Sequence, residues 1–526
     1  MFRPQLWALL FAAFCLSGCG KTDTSQTTTA PAGEQTEQQS EIRYLVVSLA
    51  PEEDQFNQAA KILVKRHAAK QIHSDTKSLD SLLPEIRKLN PNYVAFIVRP
   101  DELDFNLVQD VLKLSTQVDD DPFVDFAYGY ITGRDAQAAV SLVNASASTV
   151  HDTASITQFF VASDQLPRSM EQKIKWPLRK GSVPVTSFFS RGDKDEKRDE
   201  KFIAKSMKKL DDSPILLFES HGYPDGLVGG PKASDLAGRS FNGSVALNVA
   251  CYTGVTSTWF EDDWSTGQVR ERTVEPKDSF CLQMIDRGVA AYFAYACPRP
   301  SGPTMRGNSL LVASAGLTVG ELQRQNLNST VLAHLMAGSD SIEIKKVADG
   351  NKISTKRAPG QYVRRMSTGS MLIGDPAFRP FKKRDKEDPR TQSVTRDDNL
   401  IKVDLHVGTQ TPHYYCGDQL NYWNDREPAL RLEGAVSIGD EQDITNVRIL
   451  ESSLGEVAHK SVAAVETHAG QRMLRFKANF ALPETSEIIK LERKGLGGKF
   501  ELETSPNGGS PSSKIIRNQH GLDNPK

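Results

Sequence analysis

The stretch from Ile215 to Gly254 contains two short apolar runs that decide how the chain folds. The first reads ILLF (215–218) and is followed by ESHG, and the second reads VALNV (245–249) and is followed by ACYTG. Apolar runs of four or five residues between polar bounds are typical of buried parallel strands. We therefore expect two neighbouring strands of a parallel sheet, with His221 and Cys251 just beyond their carboxyl ends.

An imidazole and a thiol at one sheet edge predict a catalytic site. Ligands of open α/β sheets bind outside the carboxyl ends of the strands. A Cys acts as a nucleophile in its thiolate form, and a neighbouring His serves as the general base. We expect the backbone N–H groups of Gly222 and Cys251 to bind the oxyanion. A single Cys is more often a small core residue, but His and Cys together in these positions favour catalysis.

Other reaction classes lack their motifs. The sequence has no GxSxG elbow, no HExxH helix and no Gly-rich phosphate loop after a strand, and His413 with Cys416 is a weak metal pair. The formal net charge is −2, so nothing indicates nucleic-acid binding. We predict no cofactor and no catalytic metal. Binding of a structural calcium ion is left open.

Strand and helix patterns alternate along most of the chain, which predicts an α/β fold with a mainly parallel sheet. An N-terminal α/β subdomain is expected over 42–150 and a catalytic subdomain over 151–381. A loop is expected at Trp259–Trp264, near the site. A charged linker (382–399) then precedes a region of short strands (400–504) with the spacing of a β-sandwich, and a Gly/Pro/Ser/Asn-rich tail (505–526) is expected to be disordered.

The first residues predict a targeting signal. Arg3 precedes the apolar run Leu6–Leu16, which is too short to span a membrane, and Leu-Ser-Gly-Cys19 resembles the lipobox of bacterial lipoproteins. The prediction is a signal peptide (1–18), lipidation of Cys19 and a flexible tether (19–41). An ordinary signal peptide with an incidental Cys is the alternative. We expect lipid anchoring at the bacterial cell envelope, on the periplasmic or cell-surface face of the outer membrane.

The order of apolar strand, His-Gly, a second strand and Ala-Cys resembles the caspase-like clan of cysteine peptidases, and within it the gingipain family. Three later segments resemble the family in order: 288–294 (GVAAYFA), 305–307 (MRG) and 372–376 (LIGDP). The resemblance implies a caspase/gingipain-like three-layer α/β/α catalytic region followed by an immunoglobulin-like β-sandwich. It also implies a cysteine endopeptidase that acts on protein or peptide substrates.

Further roles come from this resemblance alone. Asp164 follows Phe-Phe-Val-Ala-Ser, near the position of the family's third catalytic acid, although a strand-end cap is an equal interpretation. The segment before Met-Arg-Gly walls the family's P1 pocket, which assigns substrate binding to Pro300, Ser301, Gly302 and Thr304. The family's large aromatic residue is missing there, so its preference for Arg or Lys is not carried over.

Two functions are consistent with these features. The favoured one is an endopeptidase that uses Cys251 and His221 to form an acyl-enzyme intermediate. The alternative is a catalytically inactive lipoprotein of the same fold that binds peptide or glycan. An activated thiol distinguishes them, because Cys251 would then react with iodoacetamide at low pH, in a manner dependent on His221.

Overall fold

The structure is a computed structural model of the 526-residue chain. It describes residues 43–519 apart from gaps at 76–78, 163–167, 178–181, 192–197, 212, 264, 299–315, 353–367, 383–389, 398–399, 408–428, 438–441, 453–459, 469–470, 482–495 and 507–514. Across these described ranges, no helix has both the length and the apolar character needed to span a bilayer.

The first half of a large sheet consists of four parallel strands with helices on both faces. Its elements are β1 (Tyr44–Ser48), α1 (Asn57–His67), β2 (Lys70–His73), α2 (Leu83–Leu89), β3 (Tyr93–Ile97), α3 (Phe105–Ser115), β4 (Ala127–Ile131) and α4 (Ala136–Ser148). Alternate residues of β1 and β3 pack against α1 and α4 on one face and against α3 on the other. Asp104 and Asp135 cap α3 and α4 by accepting backbone N–H bonds.

The second half of the sheet carries the stretch around His221 and Cys251. Its elements are β5 (Ile156–Ala162), β6 (Met170–Pro177), β7 (Ser182–Arg191), α5 (Glu200–Leu210), β8 (Ile215–Glu219), β9 (Gly222–Tyr223), β10 (Gly226–Leu227), β11 (Val245–Asn248), β12 (Thr258–Asp263), β13 (Gln268–Thr273), α6 (Phe280–Asp286), β14 (Ala291–Tyr295), α7 (Val319–Met336) and β15 (Ser370–Gly374). Short 3₁₀ turns lie at Leu79–Leu82 and Ala233–Leu236.

Eleven strands form the large sheet in the order β2-β1-β3-β4-β15-β14-β11-β8-β5-β7-β6. The sheet is mainly parallel, with β15 antiparallel to β14 and β6 antiparallel to β7. The Thr256 hydroxyl donates to the carbonyls of Pro100 (2.6 Å) and Leu103 (3.1 Å), which follow β3. The carboxyl ends of β3 and β11 therefore lie at one edge of the sheet, which we call the carboxyl edge.

The α/β class and the mainly parallel sheet are confirmed, and β8 and β11 are neighbours as predicted, with β14 on the other side of β11. One local prediction is wrong. The Trp259–Trp264 segment was expected to be a loop, but Thr258–Asp263 forms β12 and pairs with β13 along its whole length. Its aromatic and polar residues do not alternate regularly, so the two-residue apolar/polar pattern that predicts a strand is missing from the sequence.

The C-terminal region forms two four-stranded antiparallel sheets, as its strand pattern predicted. Their strands are β16 (Arg390–Asp397), β17 (Leu400–Val407), β18 (Ala429–Ser437), β19 (Gln442–Ser452), β20 (Lys460–His468), β21 (Gln471–Ala481), β22 (Leu496–Pro506) and β23 (Ile516–Gln519). Two expectations are corrected. The charged linker contains β16, and the tail contains β23, which pairs with β20. Backbone pairing with neighbouring strands accounts for β16 and β23 despite the polar composition of the two segments.

The β20–β21 hairpin packs against α7 through a buried ion cluster. Glu466 is 1% exposed and accepts hydrogen bonds from Arg324 of α7 and Arg475 of β21, while Asn328 donates to it over 2.9 Å. The two guanidinium groups hold the pKa of Glu466 at about 2, although burial alone would raise it. The hairpin also contacts the segment before β4, because the Thr467 N–H donates to Asp121. This contact lies at the edge opposite the carboxyl edge.

Candidate active site

Strand register brings the segments that carry His221 and Cys251 to the same edge of the sheet. In the β8–β11 pair, Phe218 lies opposite Asn248, and His221 and Cys251 each follow three residues later. His221 is exposed and Cys251 is half-buried, so both can meet a substrate at the carboxyl edge. The pairing of the two strands agrees with the predicted juxtaposition of His221 and Cys251, whose catalytic roles stay predictions.

Gly222 allows the two reactive segments to pack directly on each other. A Cβ placed on Gly222 would lie 2.7 Å from the Cβ of Ala250, 2.8 Å from the carbonyl oxygen of Cys251 and 3.0 Å from the Cγ2 of Thr253. Real Cβ atoms do not approach backbone this closely. Glycine is therefore required here for close approach, because any side chain would push the His221 segment away from the Cys251 turn.

The β9–β10 hairpin holds the backbone of His221. Val228 donates its N–H to the His221 carbonyl over 2.9 Å, and the Ser220 hydroxyl donates to the Val228 carbonyl over 3.2 Å. Bonded and non-bonded pairs alternate along an antiparallel hairpin. Gly222 accordingly directs its N–H away from β10. Asp225 is a turn residue, and its carboxylate pairs with Lys232 over 2.9 Å.

The turn that carries Cys251 is strained at the next residue. Tyr252 has a φ of 59°, in the left-handed region that bulky residues rarely adopt. Three contacts hold it there. Its N–H donates to the Cys297 carbonyl (3.2 Å), its hydroxyl accepts from the Asp262 N–H (3.0 Å), and its ring packs edge-on against Trp259 at 4.6 Å. Contacts with β12 therefore hold the residue after the candidate nucleophile.

Cys251 is the most accessible of the three described thiols. Cys281 and Cys297 are buried, and none of the three forms a disulfide. Burial raises the pKa of the Cys281 thiol far above its usual range, so it stays protonated and unreactive. Exposure thus separates the candidate nucleophile from the two structural cysteines.

Several predicted residues lie outside the described residues. These are Cys19, Asp164, Pro300, Ser301, Gly302, Thr304 and Cys416. Their roles stay predictions.

Near His221, Glu219 at the end of β8 presents a carboxylate that accepts from the Gln158 side chain over 3.3 Å. Sequence reasoning missed this acid because its position at a strand end resembles an ordinary polar boundary.

The residues beneath the Cys251 turn were also missed. Asn248, Thr253 and Tyr292 are fully buried and hydrogen-bonded to one another or to the turn backbone. A polar Asn inside the apolar run VALNV was the only available signal. Buried polar residues are costly unless they are satisfied, so such a residue marks a position where its bonds matter.

One group of carboxylates could share a cation, within the part of the chain that the structure describes. It comprises Asp119, Asp121 and Asp125, before β4 and away from the carboxyl edge. Burial, followed by mutual repulsion, raises the pKa of Asp121 to about 7 and that of Asp125 to about 9. Backbone N–H donors already hold these carboxylates. Binding of a structural calcium ion, which the sequence left open, is not tested by these contacts.

Comparisons with known proteins give remote likenesses. No protein-family model and no curated protein matches the chain. Among solved structures, the complex of Porphyromonas gingivalis RgpB pro- and mature domains is similar with a TM-score of 0.40 and 9% identity, covering 90% of this chain and 99% of that one. A structure described as "Structure of Protease" has a TM-score of 0.38 and 12% identity, covering 91% and 98%. At these scores neither establishes a family or an activity.

Proposed function

We propose that the protein is a cysteine endopeptidase in which Cys251 is the nucleophile and His221 the general base. The observation that carries the proposal is the register of β8 and β11, with Gly222 packed against the backbone of Cys251. This packing fixes the separation of two reactive segments that are about thirty residues apart in sequence. A structural Cys and an unrelated surface His would not need that constraint.

The proposed reaction proceeds through an acyl-enzyme. His221 takes the proton of the Cys251 thiol, and the sulfur attacks the scissile carbonyl carbon. The N–H groups of Gly222 and Cys251 stabilise the negative oxygen, a contribution of about 3–4 kcal/mol for each donor in related sites. The C–N bond then breaks, and His221 protonates the leaving amine. Water attacks the thioester with His221 as base, which releases the acid and restores the thiol.

Supporting roles follow the gingipain resemblance. Asp164 would orient His221, and Pro300, Ser301, Gly302 and Thr304 would line the pocket for the substrate side chain. The substrate would be a protein or peptide at the bacterial cell envelope. A lipid on Cys19 would anchor the enzyme there. Replacing Cys19 by Ala tests the lipid anchor. If the variant still partitions into detergent as the wild type does, the proposal of an anchor at Cys19 is excluded.

The catalytic proposal is tested by single and double substitutions on a peptide library of diverse P1 residues. Cys251→Ala and His221→Ala should each reduce turnover to near background, and the double variant should be no worse than either, because the two residues act as one unit. Asp164→Asn should lose less, since an orienting acid does no bond chemistry. Cys281→Ala is the matched control and should keep its activity in the folded fraction.

Thiol labelling provides an independent measurement. Iodoacetamide should modify Cys251 selectively in the native protein at low pH, and His221→Ala should abolish that selectivity. Full cleavage activity in Cys251→Ala would overturn the proposal. An intact fold that binds peptide or glycan without cleaving any library member would instead favour the inactive binding protein.

A further inference from the structure

A closed set of hydrogen bonds lies directly beneath the nucleophile turn. The Asn248 side chain accepts from the Ala250 N–H (3.1 Å) and donates to the Tyr292 hydroxyl (3.0 Å). That hydroxyl donates to the Thr253 carbonyl (3.0 Å), and the Thr253 hydroxyl donates to the Ala250 carbonyl (2.9 Å). The set therefore joins the residue before Cys251 to the residue two positions after it.

These polar groups are completely withdrawn from solvent. Asn248, Thr253 and Tyr292 are each 0% exposed. Burial raises the pKa of the Tyr292 phenol well above its usual value, so it remains a neutral donor at any working pH. Losing one member of a buried hydrogen-bond network costs free energy, because its former partners are left without a hydrogen bond and water cannot replace it. The groups consequently have one arrangement, and that arrangement fixes the turn.

We propose that Tyr292, Asn248 and Thr253 are positioning residues that hold the Cys251 thiol in its reactive geometry. The proposal rests on the catalytic function proposed above. None of the three needs to touch substrate, because they act through the backbone of Ala250 and Thr253. Their bonds also oppose relaxation of Tyr252 from its left-handed conformation, which lies between the two anchored residues.

Thr253 connects the Cys251 turn to the His221 segment. Its hydroxyl closes the turn, while its Cγ2 methyl lies 3.0 Å from the position of a Cβ on Gly222. Two substitutions separate these contacts. Thr253→Val keeps the shape and removes the hydroxyl, whereas Thr253→Ser keeps the hydroxyl and removes the methyl. The proposal assigns the greater importance to the hydroxyl.

Tyr292→Phe is the first test, since it removes one oxygen from the set. The expected result is a fall of about tenfold in kcat with KM changed less than twofold, and a similar fall in the rate of Cys251 alkylation. Tenfold corresponds to about 1.4 kcal/mol. Tyr130→Phe is the matched control. It also removes a buried strand hydroxyl, one that has no hydrogen-bond partner within the described residues, and should change neither rate.

Thr253→Val is the second test, and it examines the same proposal if the Tyr292→Phe protein does not fold. It should lower the alkylation rate about tenfold at unchanged circular dichroism, and Thr253→Ser should retain at least half of the wild-type rate. A normal alkylation rate in folded Tyr292→Phe or folded Thr253→Val would overturn the positioning role. Alkylation needs no substrate, so this inference can succeed or fail separately from peptidase activity.

Discussion

Replacing Glu466 by Gln should destabilise the contact between the β20–β21 hairpin and α7 by ~3 kcal/mol. Gln keeps the size of Glu but leaves the charges of Arg324 and Arg475 buried without a counterion. A carboxyl pKa that falls from its usual 4.5 to about 2 corresponds to ~3 kcal/mol of stability at ~1.4 kcal/mol per pKa unit. Breaking a buried pair by removing one partner costs ~3–5 kcal/mol, which agrees.

The assay is urea denaturation of wild type and Glu466→Gln, followed by fluorescence and by proteolytic sensitivity of the C-terminal region. Glu85→Gln is the control, because Glu85 forms an exposed pair with Lys70 and should leave the midpoint unchanged. The pH dependence supplies a second check. The folded pKa is depressed, so the contribution is complete above about pH 4.5 and is lost as pH falls toward 2.

A loss below ~1 kcal/mol at pH 7 would refute this reasoning. It would mean that water reaches the two guanidinium groups or that the hairpin does not depend on Glu466. A loss that stayed constant from pH 6 to pH 2.5 would be equally damaging, since this carboxyl is protonated in the unfolded chain by pH 2.5 and most of its contribution should have disappeared.

Two other predictions concern Gly222 and the carboxylates before β4. Gly222→Ala should lower kcat/KM at least tenfold and stability by ~1–3 kcal/mol, because its Cβ would overlap the Cys251 turn. Gly238→Ala is the control, since φ is +70° there but nothing lies within 4 Å, and it should lose stability without losing activity. Equal activity in both variants would contradict the steric argument. The raised pKa of Asp125 predicts that stability increases as pH falls from 9 to 7, by up to ~1.4 kcal/mol per pH unit, because the folded state binds the extra proton. Asp125→Asn should flatten this slope in thermal melts, and an unchanged slope would exclude Asp125 as its source.

The sequence predicted the large sheet well because its strands are continuous apolar runs buried on both faces. ILLF and VALNV could be placed next to each other, and the exposure of His221 follows from its position after a strand end. Thr318 and Glu321 form a capping box at the start of the helix Val319–Met336, a signal that is visible in the sequence.

The rest depended on contacts distant in sequence. Trp259 of the β12–β13 hairpin packs against Tyr252, a contact that no local pattern reveals. The sequence predicts a disordered tail where β23 lies, because the polar composition of this segment carries no strand pattern. The strand forms by pairing with β20, a contact distant in sequence. Similarly, nothing in one sequence shows that Tyr292 lies beneath Asn248, because that contact joins neighbouring strands 44 residues apart.

Under the proposed function, the left-handed backbone at Tyr252 makes the reactivity of Cys251 a property of the intact fold. An isolated segment would relax from this conformation, which costs roughly 1–2 kcal/mol for a residue with a Cβ. The thiol of an unfolded or partly digested chain would then be an ordinary one. Damaged copies of the proposed enzyme would lose the reactive thiol before they could cleave other molecules, so the backbone strain would link the reactivity of Cys251 to correct folding.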